Sequence, residues 1–440
     1  MQDYFEKIAS AVCTDVVGAD RVSLHYAAET TDFIRFNHAL VRQVTHVDQR
    51  SATVSVVAGL RRSSGTVTLS GNVATDVRAL LEERAALIAQ LPLVPEDKYL
   101  MLPDTVTSTD RVSTAQLPTA EQVIEAVADH ASGTDLVGFY AGGPIVRAFA
   151  DSRGQRNWHS VASFNFEWCL YRSGDQAVKS SYAGTSWDAA EFARKMASAR
   201  EQVALLERPQ ITLAPGEYRV YLSPVAMADL LGTLGWDGFG VKALKTGVNT
   251  LGLVHRGDKL LHPSIAISEA TSTGIAPCFQ QDGFVKPGEV ALVDQGRTVG
   301  TLNSARSASE YALPANGANA YESPESLALA AGTLAPADIL RTLGTGIYLS
   351  NLHYLNYSDR QACRMTGMTR FACFWVENGE LVAPIAVMRF DDSFLRMFGE
   401  GLVALTHERE LVPDSGTYMA RALGSVTTPG AIVQGFRFTL

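Results

Sequence analysis

Apolar residues recur at helical spacing from residue 3 to 15, with Phe5, Ile8, Ala9 and Val12 on one stripe, which predicts a short amphipathic helix. The period then shortens to two. "FIRFNHALVRQVTHV" (33–47), "SATVSVVAGL" (51–60) and "GTVTLSG" (65–71) alternate apolar and polar groups, are rich in β-branched residues and are punctuated by Gly and Ser, as in an antiparallel meander. "TDVRALLEERAALIAQL" (75–91) returns to helical spacing and closes the block. Residues 92–118 contain Pro92, Pro95, Pro103 and Pro118 among Asp, Ser and Thr, and read as an extended connector.

The same order then recurs. A helix is predicted over 119–131, followed by strands in "LVGFYAG", "GPIVRAFADSRGQRNWHSVASFNFEWCLYRSG" and "QAVKSSYAG", and by a long helix over 186–209. That helix carries Ala189, Phe192, Met196, Ala199, Val203 and Leu206 on one stripe. In "VASFNFEWCLY", Phe164, Phe166, Trp168 and Leu170 alternate with Ser163, Asn165, Glu167 and Cys169, so one face is buried and the other is wet or faces a partner. Helix, strands, helix thus occurs twice, which suggests a duplicated α+β unit, although two helix-backed antiparallel sheets also arise without duplication.

Pro209 and Pro215 mark the next boundary. Beyond it helices become scarce, with one at 224–234 and short ones near 304–311, 324–331 and 336–342; the rest reads as strands joined by Gly, Asn and Asp turns. The pattern therefore predicts an α+β fold. An N-terminal domain of antiparallel sheets and helices spans 1–210, with its linker at about 92–118, and a strand-rich domain spans 211–440.

Composition narrows the setting. Hydrophobic residues make up 46% and charged residues 19% of the 440, and no apolar run reaches the roughly 18 residues of a membrane helix. The start, "MQDYFEKIASAVCTDVV", has early acidic residues and does not read as a secretory signal, so a cytoplasmic location is expected. The net charge of −9 comes without a basic run, which argues against a nucleic-acid partner. Five scattered cysteines without a C-x-x-C predict free thiols.

Metal and nucleophile templates fail. There is no His-Glu-x-x-His, no paired cysteine, no G-x-S-x-G and no Walker A, and the nine histidines are scattered. "THERE" (406–410) sets His407 three residues from Glu410, and on a loop this is usually a solvated surface. Cys363 and Cys373 flank apolar strand sequence, which favours buried structural thiols. The densest stretch is "GTGIYLSNLHYLNYSDRQACRMTGMTRFACFWVENGELVAPI" (344–385), closing on an Asn-Gly hairpin turn. It is either a polar surface with a satisfied histidine or a strand edge lining a groove. The compact polar residues, with Gly344, Gly346 and Gly367, favour the groove.

A question is posed by "GEYRVYLSPVAMADLLGTLG" (216–235). A strand runs through Ser223 and Pro224 into a helix, a junction that often presents ligands or bases, yet the first turns hold Val225, Ala226, Met227 and Ala228, with Asp229 as the only ionisable group.

"GTGIYLSNLHYLNYSD", "MTGMTRFACFWVENGELVAPI", "CFQQDGFVKPGEVALVDQGRTVGTLNSARSA" and "FIRFNHALVRQVTHVDQRSATVSVVAG", in their order along the chain, resemble the TldD/PmbA family, whose second member is also called TldE. The resemblance runs over nearly the whole chain. It implies an N-terminal α+β domain, a strand-rich C-terminal domain, and a cytoplasmic peptidase in which a zinc-bearing TldD subunit pairs with a TldE/PmbA subunit around an enclosed chamber. In the zinc subunit a His-Glu-x-x-x-His helix follows the strand that is "EYRVYLS" here, and a cysteine near the C-terminus completes the ligand set. This chain has Pro-Val-Ala-Met-Ala-Asp at the helix, and its last cysteine is Cys373.

The resemblance therefore implies a non-catalytic TldE/PmbA-like subunit with no catalytic residue, no metal ligand and no cofactor of its own, zinc being carried by the partner. The expected partners are a TldD-like zinc subunit in a heterodimer, or a second copy in a homodimer, and unfolded or leader peptides held by strand addition. Asn351, His353, Tyr357, Thr366 and Arg370 are the candidate channel residues. Two alternatives stand beside this reading: a homodimeric hydrolase with a site around His353 and Cys363, and a peptide-binding scaffold without a protease.

Overall fold

The computed structural model describes residues 1–440. The first half contains α1 (Gln2–Cys13), β1 (Arg21–Asn37), β2 (Leu40–Ala58), β3 (Arg61–Thr68), α2 (Val73–Gln90), β4 (Thr109–Val112), α3 (Ala120–Ala131), β5 (Asp135–Asp151), β6 (Arg156–Ser173), β7 (Gln176–Gly184) and α4 (Ala189–Leu205). The two helix–strands–helix units do not form two sheets. They join in one sheet of order β3-β2-β1-β5-β6, with β4 and β7 both on the far side of β6. β1 pairs antiparallel with β5 at the centre, from Ser23↔Asp151 to Phe36↔Gly138, so the three strands of one unit extend to one side and those of the other to the opposite side.

Each unit buries one helix pair. α1 and α2 cover Tyr26, Val54 and Val56 with Phe5, Ile8, Val12 and Leu80; α3 and α4 cover Phe166 and Trp168 with Val123, Phe192 and Met196. Thr119 begins α3 with a capping box to Gln122, which satisfies two backbone donors at once.

Two expectations change here. The run 33–47 is not one strand: the chain reverses at His38 and Ala39, both at positive φ (52° and 57°), and 40–58 is continuous. That turn is built without the Asn-Gly pair that usually advertises left-handed backbone, so the strand pattern ran through it unbroken. The connector at 92–118 contains β4, which pairs parallel to β6 and is too short to show a period.

The second half contains β8 (Gly216–Leu222), α5 (Pro224–Leu234), α6 (Val241–Lys245), α7 (Gly252–His255), β9 (Ile267–Glu269), β10 (Val290–Asp294), β11 (Arg297–Thr298), α8 (Ala305–Tyr311), β12 (Ser326–Leu329), α9 (Ile339–Leu343), β13 (Gly346–Leu349), β14 (Asn351–Asp359), β15 (Arg364–Arg370), β16 (Phe374–Glu377), β17 (Glu380–Pro384), β18 (Arg389–Ser393), α10 (Phe394–Met397), β19 (Leu402–Pro413) and β20 (Ser425–Phe438). Its sheet has 13 strands, with β8 between antiparallel β20 and parallel β13. The core is one cluster in which Met227, Leu230, Leu231 and Leu234 of α5 pack on Val220, Leu222, Ile347, Ala431 and Val433 of the sheet.

The segment near 324–331 is a strand, not a helix: Ser326, Leu327, Ala328 and Leu329 are all buried between β9 and β20, and a short fully buried run carries no period to separate the two states. "THERE" lies within β19 and not on a loop. The Asn378-Gly379 turn joins β16 to β17 with both residues at positive φ, as its sequence predicts. No helix is long and apolar enough to cross a membrane.

Between β19 and β20 the chain leaves its own sheet and crosses residues 414–424 over the first one. Arg421, 7% exposed, donates through its guanidinium to Gly143 O (3.0 Å), Ser163 O (2.8 Å) and Ser163 Oγ (2.9 Å), while its backbone N–H donates to Glu29 Oε2 (3.0 Å). Ile145 and Val161 of the first sheet pack there with Ile275 and Leu423.

Candidate functional site

The β8–α5 junction is well built. The Ala226 N–H donates to Ser223 Oγ (3.2 Å), Ser223 Oγ donates to Ser350 O (2.6 Å), and Pro224 occupies the first helical turn, where its missing N–H costs nothing. α5 buries Ala226, Met227, Leu230 and Leu231, leaving Val225, Asp229 and Gly232 half-buried on its other side. Burial pushes the Asp229 carboxyl up from 3.8 to about 6, opposed by the Leu352 N–H and by the charge of Lys179, and reinforced by Glu167. Lys179 and Glu167 belong to the first sheet, so the Asp229 carboxyl feels that sheet's charges.

A folded-state pKa above the ordinary value penalises the native state once the pH exceeds about 6, and the penalty fades as the pH falls toward 4. Asp229→Asn keeps an acceptor for Leu352 and removes the charge. It is expected to raise stability by about 1–2 kcal/mol at pH 7.5 and by almost nothing at pH 4, read from urea midpoints. An equal gain at both pH values would show that the carboxylate is not desolvated.

Register fixes which side chains share this face of the first sheet. Cross-strand neighbours share a face, so Gln43, Arg35, Phe139, Glu167 and Ser181 form one row across β2, β1, β5, β6 and β7. Val137, Cys169 and Lys179 form the next row, and Phe33 stacks on Phe139 at 5.6 Å. Of these, Arg35, Phe139, Glu167, Val137, Cys169 and Lys179 line a cleft of about 790 Å³ together with Arg42, Phe371 and Thr417. The Lys179 ammonium lies 3.5 Å from Glu167, and the Arg370 charge is felt by both Cys169 and Tyr171.

The alternation in "VASFNFEWCLY" had placed Glu167 and Cys169 on a face that is wet or meets a partner, and the cleft is that face. Arg35, Arg42, Phe139 and Lys179 come from four strands and no local pattern joins them; only the register does.

The five candidate channel residues do not share one surface. Asn351 lies opposite Arg370, His353 opposite Met368 and Thr366 opposite Asn356 in the β14–β15 hairpin. Tyr357 instead pairs with Met365 on the core side, where its hydroxyl donates to Thr233 O (3.0 Å) at the end of α5, a structural tether. Asn351 is 5% exposed and its Oδ1 makes no hydrogen bond. Thr366 Oγ1 donates to Phe390 O (2.9 Å), and His353 is exposed beside Tyr354.

Catalytic groupings do not assemble around these residues. Cys363 is fully buried, its thiol is pushed up to about 12 by desolvation, and its side-chain partner is Thr250, so it forms no dyad with His353. All five cysteines are free. No cluster of three or more His, Cys, Asp or Glu side chains is placed to hold a metal ion. At α5 the only such donor is Asp229, and this set does not fit the zinc ion that the helix position suggests.

A second cleft, of about 710 Å³, opens between β7 and β19 and reaches Pro224 at the start of α5. β7 pairs only with β6 and has a free edge, whereas β19 pairs with β20 on one side and is hydrogen-bonded on the other by residues 332–334 at Leu405–His407. Lys195 of α4 bridges the cleft to Glu410 at 2.9 Å, and His407 does not join that pair.

No curated protein matches the chain by sequence. Among solved structures, TldE from Thermococcus kodakarensis superposes with a TM-score of 0.78 at 12% identity, covering 96% of this chain and 97% of that one. A protein described as a candidate modulator of a DNA gyrase, from Thermotoga maritima, superposes at 0.75 and 12% identity over 100% of both chains. A third, of the same description from Bacteroides thetaiotaomicron, gives 0.73 at 15% identity, covering 100% of this chain and 97% of that one. At such identities these likenesses establish the fold. The family model described as "PmbA/TldA metallopeptidase C-terminal domain" matches residues 215–440, from β8 and α5 through β20, which is half of the chain. With the two-sheet α+β architecture and a sequence that resembles the family along its length, this match places the chain in the PmbA/TldD metallopeptidase family.

Proposed function

We propose that this chain is the non-catalytic, TldE/PmbA-like subunit of a zinc peptidase complex of the TldD/TldE type, completing the chamber in which a metal-bearing partner cuts unfolded or leader peptides. The observation that carries the reading is α5. It keeps a capped junction at the head of the C-terminal core, yet its outward side supplies Val225, Asp229 and Gly232. A subunit that hydrolysed peptides by the zinc route would need several donors there to activate water and polarise the carbonyl. The free edge of β7 on the second cleft supports a role in holding extended chains, because backbone hydrogen bonds tolerate varied side chains.

The test is a tagged pull-down from the native cell with mass-spectrometric identification. A homologous subunit carrying His-Glu-x-x-x-His, recovered at close to one-to-one, is the expected result. Recovery of the chain only with itself, or chelator-sensitive peptide hydrolysis by the purified chain, would overturn the proposal.

A further inference from the structure

The cleft in front of β1, β5, β6 and β7 is cationic in a protein whose net charge is −9. Arg35 and Arg42 line it, and Arg370 lies beside Phe371, which also lines it. None of the three guanidiniums makes an ion pair or donates a side-chain hydrogen bond. The nearby acids are already engaged: Glu167 by Lys179 at 3.5 Å, Asp32 by His46 at 2.7 Å and Asp135 by His38 at 2.8 Å. Two of the guanidiniums rest on aromatic rings, Arg35 5.5 Å from the centre of Phe139 and Arg370 5.4 Å from that of Phe371. Stacking of this kind holds a guanidinium in place while its N–H edges stay free for a carboxylate.

The floor between these cations is apolar, formed by Val137, Phe139 and Phe371. The occupant must therefore bring carboxylates and apolar side chains together, in a chain thin enough for a cleft of about 790 Å³. The geometry points to an acidic, aromatic- or aliphatic-bearing peptide segment as the ligand of this cleft, its carboxylates taken by Arg35, Arg42 and Arg370. This inference rests on the proposed peptide-handling role and adds the substrate class. A single-stranded nucleic acid would bring anions and stacking bases too. The apolar floor and the absence of a basic run in the sequence favour the peptide.

Fluorescence anisotropy of the full chain with a short labelled peptide alternating Phe and Glu, and with its Phe–Gln counterpart, tests the assignment. The Glu peptide is expected to bind at least about tenfold more tightly at low salt, with the preference shrinking as salt rises. The triple variant Arg35→Gln, Arg42→Gln, Arg370→Gln is expected to lose that preference while keeping its melting temperature and its affinity for the Gln peptide. Equal binding of the two peptides to the unaltered chain would overturn the acidic preference and leave peptide handling standing. Binding of an oligothymidine but of neither peptide, or of no probe at all, would overturn both.

Discussion

Arg421→Ala is expected to cost about 3–5 kcal/mol, because it removes one member of a buried charged network and leaves its partners behind. The guanidinium reaches from the 414–424 crossing into the first sheet and satisfies Gly143 O, Ser163 O and Ser163 Oγ at once. Glu29, 3% exposed, faces the same site. Without Arg421 these acceptors are shut away from water, and its depressed pKa shows how desolvated the site is. Gly143, the first of these acceptors, has φ +148° and lies so close to β1 that a Cβ would meet Thr30 O at 2.0 Å. Lysine is expected to recover only part of the loss, since one ammonium cannot reproduce the forked geometry. Urea unfolding followed by both tryptophan fluorescence and far-UV circular dichroism is the measurement. The expected variant shows a lower midpoint and two separated transitions, one per sheet. A midpoint within about 0.5 kcal/mol of the parent would refute the view that this arginine joins the sheets.

The second large effect is expected at Phe192→Ala, at about 3–5 kcal/mol. Phe192 is fully buried at the start of α4, stacked on Phe166 at 5.7 Å, 5.5 Å from Trp168 and 5.1 Å from Trp187. Phe166 and Trp168 are rigid rings anchored on β6, so the cavity collapses little and the transfer and cavity costs add. The loss should appear as a lower thermal midpoint and as faster hydrogen exchange in α3 and α4, with α1 and α2 unaffected. Uniform acceleration across all four helices would instead mean that the first sheet unfolds as one cooperative unit.

The two-unit order of the first half, the 224–234 helix, the Asn378-Gly379 hairpin and the buried thiols could be read from the sequence, because each has a local cause: a period, a cap, or a residue suited to positive φ. What escaped either carried no local marker or was non-local. The His38–Ala39 reversal uses residues that do not announce it, and the 326–329 strand looks apolar in either state. The cleft was legible only in part. Glu167, Cys169 and Asp229 belonged to patterns already noticed, whereas Arg35 meets Phe139 only once β1 is registered against β5. Tyr357 has the same parity as Asn351 and His353, and alternation alone puts it on their face; the register shift between His353 and Asn356, which no local pattern announces, sends it to the core.

The pairing of β8 with β20 bears on synthesis. The strand that opens the second sheet is held on one side by the strand that ends it, about 200 residues later. The first sheet is assembled largely from hairpins whose members adjoin in sequence, so it can close while translation continues. The α5 face and the core beneath it must wait until β20 has left the ribosome. Until then the nascent second half displays the apolar end of β8, Val220–Leu222, with an open flank, which makes this interval the stage at which a chaperone would be needed most and at which a premature stop would leave the first sheet folded beside an unclosed second one.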